Sequence, residues 1–310
     1  MERVLVTSYI NPDMDGTACA LAYAEFLNQT GTLAVAGLLG SPHEEAQYVA
    51  ARFGITLPLI VDAFDFDKVV LVDVSELFLL DDKIAADKVV EIIDHRLIGQ
   101  LDDFKNAKKQ IELVGSAATL VAERFVQNKQ SMSREAAILL LSAIISNTLN
   151  FKGSVTTQRD KNVAEELFKI SQLPRDYFRE LFAAKSDLTG EKLKAALLAE
   201  ITVTRVIAEK RMVMPQLEIV GSEKLVANRL QEILSILQDI KNKDQLDFIF
   251  LNLVDLENGR NYFVTSDNDT KNLIGQMFNL DFIGDYVIRD GLILRKQIWP
   301  MIKNQLEKIQ

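Results

Sequence analysis

The sequence predicts an α/β chain, with an N-terminal doubly wound, mainly parallel sheet and a smaller C-terminal α/β domain. Three observations predict it. Short runs rich in Val and Ile alternate with longer helical segments through the first half. A turn-rich patch, Ser186-Asp187-Leu188-Thr189-Gly190, interrupts the pattern. Beyond it the alternation restarts. The 310 residues, 48% hydrophobic and 25% charged, suffice for two cores of ordinary composition.

Arg3 to Ile10 is a β-branched run, and Thr17 to Gln29 reads as a helix that stops near Gly31. Leu33 to Leu39 is apolar again, and Pro42 to Phe53 reads as a helix closed by Gly54. Lys68 to Val72 and Lys88 to Ile93 are too short for helices and rich in Val and Ile, as buried parallel strands are. Ser133 is placed to cap a long helix through Leu139-Leu140-Leu141. Thr157 to Glu209 is helix-rich and charged. Then Met212 to Val220 suggests a strand and Ser222 to Asn242 an amphipathic helix. Phe248 to Leu256 and Asn261 to Ser266 flank Glu257-Asn258-Gly259-Arg260 as a hairpin. A helix near Thr270 to Phe278 and a strand near Tyr286 to Arg295 complete the unit. The boundaries are domains at 1–186 and 192–310, joined by a linker at 187–191.

Composition excludes several functions. A net charge of -9 argues against a nucleic-acid duplex as the main partner, because phosphate backbones call for clustered Lys and Arg. The single Cys19 excludes an intrachain disulfide and a cysteine-based zinc site, as in a reducing compartment. No basic region followed by a long apolar run opens the chain. Ala136 to Ile145 is too short to span a bilayer, which needs about 20 apolar residues. The expectation is a soluble cytoplasmic protein with no membrane partner.

Acidic and imidazole residues follow three of the expected strands. They lie in Tyr9-Ile10-Asn11-Pro12-Asp13-Met14-Asp15-Gly16, in Val70-Leu71-Val72-Asp73, and in Ile92-Ile93-Asp94-His95-Arg96. In open parallel sheets the carboxyl ends of strands form the ligand crevice, so Asp13, Asp15, Asp73 and His95 can converge there. Oxygen-rich ligands with an imidazole suit Mn²⁺ or Mg²⁺. Each piece alone has an ordinary explanation: Asp-x-Asp in a turn caps helices, and an isolated His is commonly structural. His43, beside Glu44 and Glu45, reads as a surface residue.

Taken together the segments resemble the DHH superfamily of phosphoesterases, and within it the manganese-dependent inorganic pyrophosphatases. Asn11-Pro12-Asp13-Met14-Asp15 resembles the first motif, and Asp73 sits where the second contributes a bridging aspartate. Asp94-His95-Arg96 resembles Asp-His-His. Val114-Gly115-Ser116-Ala117-Ala118-Thr119 resembles the glycine-containing motif, and Ser146-Asn147-Thr148 resembles a Ser-Asp-Thr. Leu294-Arg295-Lys296-Gln297 resembles the phosphate-binding Ser-Arg-Lys-Lys-Gln signature. Arg205, in Thr202-Val203-Thr204-Arg205, stands near the family's substrate-binding lysine.

The departures fall on the metal centre. Tyr9 replaces a ligand histidine, Arg96 the second histidine of Asp-His-His, and Asn147 a carboxylate. A phenol is a poor ligand near neutral pH, and Arg cannot act as an acid but can grip phosphate. Eukaryotic short-chain exopolyphosphatases of the superfamily carry the same Asp-His-Arg.

The resemblance implies a DHH catalytic domain and a DHHA2-like substrate domain that closes about the linker. It implies one or two divalent ions, Mn²⁺ with Mg²⁺ or Co²⁺ as alternatives, at Asp13, Asp15, Asp73, His95 and Asn147. Asp94 and Arg96 would serve catalysis, and Arg96, Arg205, Arg295 and Lys296 would hold substrate. Hydrolysis of pyrophosphate by a homodimer is the leading expectation. Hydrolysis of short polyphosphate or another phosphoanhydride is an alternative, and so is a weakened phosphate- or nucleotide-binding protein.

Overall fold

Val4–Thr7 form the first strand, β1, because a fully buried β-branched run satisfies its backbone only within a sheet. The computed structural model describes residues 2–80, 82, 84–96, 101–201 and 204–309. They fall into two compact units, Met1–Ala184 and Lys185–Gln310. In the first unit β1 leads to α1 (Met14–Gln29), β2 (Ala34–Ala36), α2 (Glu44–Phe53), β3 (Lys68–Val72), β4 (Val89–Asp94) and β5 (Lys108–Ile111). The helices α3 (Ala117–Gln127), α4 (Arg134–Asn147), α5 (Gln158–Ser171) and α6 (Tyr177–Lys185) follow. The sheet runs β2-β1-β3-β4-β5, parallel throughout.

The reversal of order at β1 and β3 places the ends of β1, β3 and β4 together, the position where parallel sheets form their crevice. Val69, Leu71 and Ile92 face one core with Leu5, Phe66 and Phe104. The helices have sequence-encoded ends. Asp13 caps α1, Ser116 caps α3 and Ser133 caps α4, each accepting backbone N–H bonds. Gly54 closes α2 at φ +66°. The helix expected from Thr17 starts three residues earlier because Asp13 is its cap.

The second unit holds α7 (Lys192–Ala199), β6 (Arg205–Ile207), β7 (Lys210–Val213), β8 (Gln216–Ile219) and α8 (Ser222–Asp244). It continues with β9 (Phe248–Ile249), β10 (Leu251–Asp255), β11 (Arg260–Val264), α9 (Asn268–Phe278), β12 (Tyr286–Asp290) and α10 (Arg295–Ile309). One sheet runs β12-β11-β10-β8 and a smaller one β6-β7-β9. Leu217, Leu253 and Tyr262 pack with α7 and α8, whereas Phe250, Phe263 and Val287 pack with α9 and α10. The hairpin is present, with Asp255 opposite Arg260.

Three strand expectations change here. Met212 to Val220 splits at Pro215, which cannot donate to a ladder, and its halves join different sheets. Phe248 to Leu256 divides in the same way, Met212 pairing with Phe248 and Asn252 with Gln216. The strand expected to reach Arg295 stops at Asp290, Gly291 turns at φ +78°, and α10 begins at Arg295 itself. Residues 186–191 form turns: Val220 N donates to Ser186 Oγ at 3.1 Å, and Arg229 donates to the carbonyls of Leu188 and Gly190. No described helix is long and apolar enough to cross a membrane.

Candidate metal centre and anion-binding residues

Asp13 Oδ1 accepts from Asp15 N at 2.9 Å and Gly16 N at 3.0 Å, which fixes Asp15 in the first turn of α1. A side chain on Gly16 has no room, because its Cβ would lie 2.5 Å from Ser8 Oγ. Asp73 directly follows β3 in the left-handed region, at φ +57°, and its N–H donates to Ile93 O at 2.8 Å. β4 ends at Asp94, so His95 and Arg96 leave the sheet beside it.

These elements bring Asp15, Asp73 and His95 together, with one ligand atom from each inside a 4.8 Å span. Asp15 and Asp73 are buried, at 0% and 3% exposure. His95 Nδ1 lies 3.1 Å from Val114 O, which makes it the protonated nitrogen and aims Nε2 inward. Nε2 is 3.3 Å from Asp73 Oδ1 and 3.9 Å from Asp15 Oδ2.

Burial alone would lower the His95 pKa, but its bond to Asp73 and the charge of Asp15 raise it to about 9. Burial, then the neighbouring Asp15, holds Asp73 well above the usual carboxylate range. Asp15 is also raised, by burial first, with His95 opposing and Asp13 adding. The pocket therefore gathers positive charge on His95 to offset two desolvated carboxylates. Two hard oxygens and an imidazole fit a divalent ion such as Mn²⁺ or Mg²⁺, which would supply that charge instead. Tyr9 is not suited to join them. Its hydroxyl accepts from Asp13 N at 3.2 Å, and burial, then Asp13 and Asp73, keep the phenol neutral.

Asp13 lies outside this triplet, and Asn147 presents nitrogen to it. Asn147 ends α4, and its Nδ2 donates to Asp15 Oδ2 at 2.6 Å. Asp94 Oδ1 accepts from His95 N at 2.7 Å and Arg96 Nε at 3.2 Å, while Oδ2 accepts from Ser75 Oγ at 2.6 Å. Asp94 thus positions its two neighbours. Arg96 also donates through Nη2 to Asp73 O at 2.5 Å and remains partly exposed, with donors to spare for an anion.

In the second unit the cations gather at the start of α10. Arg295 is its first residue and Lys296, its second, is exposed. Arg295 Nη1 lies 3.1 Å from both the Glu200 carbonyl and its Oε2. Arg205 stacks over Trp299, 5.1 Å from its ring centroid. Its motif partners Thr202 and Val203 lie outside the described residues. A buried amide cluster fixes this helix start. Asn252 Nδ2 donates to Gln216 Oε1 at 2.8 Å, and Asn261 Nδ2 donates to Asn252 Oδ1 at 2.6 Å. Asn261 also takes both backbone groups of Ile293, at 2.7 and 2.9 Å, while Gln216 Oε1 accepts from Arg295 N.

Sequence reasoning missed this cluster, because amides on strands leave no pattern. It also missed Asp160, a buried carboxylate that accepts from Gly115 N at 3.0 Å, Thr119 Oγ1 at 2.6 Å and Thr157 N at 2.6 Å. That clamp holds the glycine-containing segment whose Ala117 and Ala118 amides bind Asp15, at 2.8 and 2.9 Å. Thr157 three residues before Asp160 is a capping box, and was the available signal.

Residues 3–144 match the sequence profile of the DHH family, N-terminal domain. The chain is 28% identical over 311 residues to a manganese-dependent inorganic pyrophosphatase of Methanothrix thermoacetophila, covering 99% of each. It is 27% identical to a Bacillus cereus protein named as a probable enzyme of that kind, covering 97% of this chain and 98% of the relative. Among solved structures, a Methanococcus jannaschii protein provisionally assigned as a family II inorganic pyrophosphatase matches with TM-score 0.63 and 26% identity, over 98% of this chain and 99% of that one. An exopolyphosphatase-related protein from Bacteroides fragilis shares the fold, with TM-score 0.53 and 14% identity, over 99% and 92%. Residues 3–144 of the first unit therefore match a DHH-family domain, and the whole chain is similar along its length to manganese-dependent inorganic pyrophosphatases.

Proposed function

We propose that this protein hydrolyses inorganic pyrophosphate to phosphate, with a divalent cation, Mn²⁺ foremost and Mg²⁺ or Co²⁺ as alternatives, held by Asp15, Asp73 and His95. The observation that carries this reading is the buried pair of carboxylates facing one imidazole, in a chain whose full-length relatives are named manganese-dependent inorganic pyrophosphatases. A bound divalent ion supplies charge for the phosphate oxygens and makes water more acidic. Water then attacks one phosphorus, the bridging P–O bond breaks, and the two protons of water end on the two phosphates. Asp94 keeps His95 and Arg96 in register. Arg96 donates to phosphate oxygens as charge spreads over them. Asp13 supports the centre by fixing the α1 turn that carries Asp15.

In the same reading residues 1–186 are the catalytic domain and 192–310 the DHHA2-like substrate domain, hinged at 187–191. Arg205, Arg295 and Lys296 bind the substrate phosphates, and a cytoplasmic location is expected. A homodimer is supported by the exposed Leu59, Ile60 and Phe64, on a segment that extends the sheet edge through the Leu38–Ile60 bridge.

Asn147 donating to Asp15 favours a second reading, a phosphoanhydride binder with little turnover. Phosphate release from pyrophosphate, tripolyphosphate and a nucleotide panel, each with Mn²⁺, Mg²⁺ and Co²⁺, decides between them. Release from pyrophosphate is the expected result. Release from tripolyphosphate alone makes the chain a polyphosphate hydrolase, and none with any metal leaves only the binding reading.

A further inference from the structure

We propose that Asn147 is a positioning residue that competes with the divalent cation for Asp15. The inference rests on the metal-binding role given above to Asp15, Asp73 and His95. A carboxylate has about four lone-pair directions, and each oxygen of Asp15 already receives at least two donors, with the Ser116 side chain bonding it as well. Oδ1 accepts from Ala118 N at 2.9 Å and from the Cys19 thiol at 3.4 Å. Oδ2 accepts from Ala117 N at 2.8 Å and from Asn147 Nδ2 at 2.6 Å. Asp15 is wholly buried, so water cannot stand in for any donor that leaves.

The donors differ in how readily they yield. Ala117 and Ala118 are the first residues of α3, and withdrawing their amides means unwinding its first turn. The Cys19 thiol is one turn along α1, a weak donor already held in place. Asn147 Nδ2 sits at the tip of a side chain on the last residue of α4, partly exposed. It also faces Oδ2, the oxygen on the His95 side of the carboxylate. A cation that takes Oδ2 must break this charge-assisted bond, so Asn147 weakens cation binding while holding Asp15 in position.

The sign of the effect is what distinguishes this role. If Asn147 served as an oxygen ligand, its removal would loosen the metal. As a competing donor, its removal tightens it. The test is Mn²⁺ binding to the metal-free full-length chain, without pyrophosphate, by titration calorimetry and by electron paramagnetic resonance of the free ion. Wild type is compared with Asn147→Ala and with Asn147→Leu, which keeps the side-chain volume. The folded variants should bind Mn²⁺ roughly tenfold more tightly, the weight of one hydrogen bond to a charged group. Leu alone decides the matter if Ala does not fold. Equal or weaker binding overturns the competition and leaves the pyrophosphatase reading standing. Failure of every form to bind Mn²⁺ overturns the metal assignment and this inference together. Loss of pyrophosphate turnover with the tenfold tightening intact strikes only the proposed activity.

Discussion

The two units solve one problem with opposite chemistry. Each must hold an irregular segment beyond its strands in a fixed shape. The first unit does so with ionisable groups: buried Asp15, Asp73 and Asp94 with half-buried His95, bonded to amides and to one another. The second uses neutral amides, with Gln216, Asn252 and Asn261 tying Ile293 and the first residue of α10 to the sheet. Buried carboxylates are costly to desolvate, so the first arrangement stays poised for added positive charge. The amide cluster carries no net charge, and leaves its cations, Arg295 and Lys296, toward solvent.

The largest expected effect that sharpens this contrast is at Asp73. Asp73→Asn should keep the fold by circular dichroism, yet lower pyrophosphate turnover at least about a thousandfold, since it strips a carboxylate from the cation's core. Near-normal turnover in that variant would break the comparison. Next in size is Asn261→Leu, which leaves the Ile293 N–H and the Asn252 carbonyl without their partner. It should cost about 2–4 kcal/mol. Urea unfolding followed by the single tryptophan, Trp299 in α10, reads this change in the second unit.

Arg295→Ala should raise KM for pyrophosphate roughly tenfold or more, with a smaller change in kcat, as expected for a phosphate contact made before the reaction. Its stability should move by less than about 1 kcal/mol, because the pair with Glu200 is partly exposed. The smallest effect is at Asp267, which caps α9 and pairs with Lys241. Burial opposes its ionisation, but Lys241 and Thr270 outweigh it and lower the pKa. A lowered carboxylate pKa stabilises the fold above the usual carboxylate range and loses that contribution as pH falls through the lowered value. Asp267→Asn should therefore cost about 0.5–1 kcal/mol at neutral pH, and the gap to wild type should close on acidification in thermal melts.

How legible each region was follows from its chemistry. Asp15, Asp73 and His95 could be read because ionisable residues directly after apolar strands are conspicuous. The same signal could not say that Asp13 would spend an oxygen on capping α1, or that Asn147 would turn its nitrogen to Asp15. The cap is set within the first turn of α1, whereas the Asn147 bond depends on the distance between helices far apart in sequence. In the second unit, hydropathy carried the strand expected from Tyr286 past Gly291 and hid α10, because the apolar run Leu292-Ile293-Leu294 continues into a helix. Pro215 was the visible break within Met212 to Val220, and it marks the exchange between sheets.

The bonds around Asp15 also set an order of events. Its partners Ala117, Ala118 and Asn147 lie 102, 103 and 132 residues away along the chain. Closing loops of that length is slow compared with forming helices or adjacent strands. The local turn at Asp13 and the Asp160 clamp on Gly115, 45 residues apart, can assemble beforehand. The full set of bonds that holds Asp15 in place is thus among the last features the first unit acquires as it folds, and among the first it loses when α4 or α3 shifts.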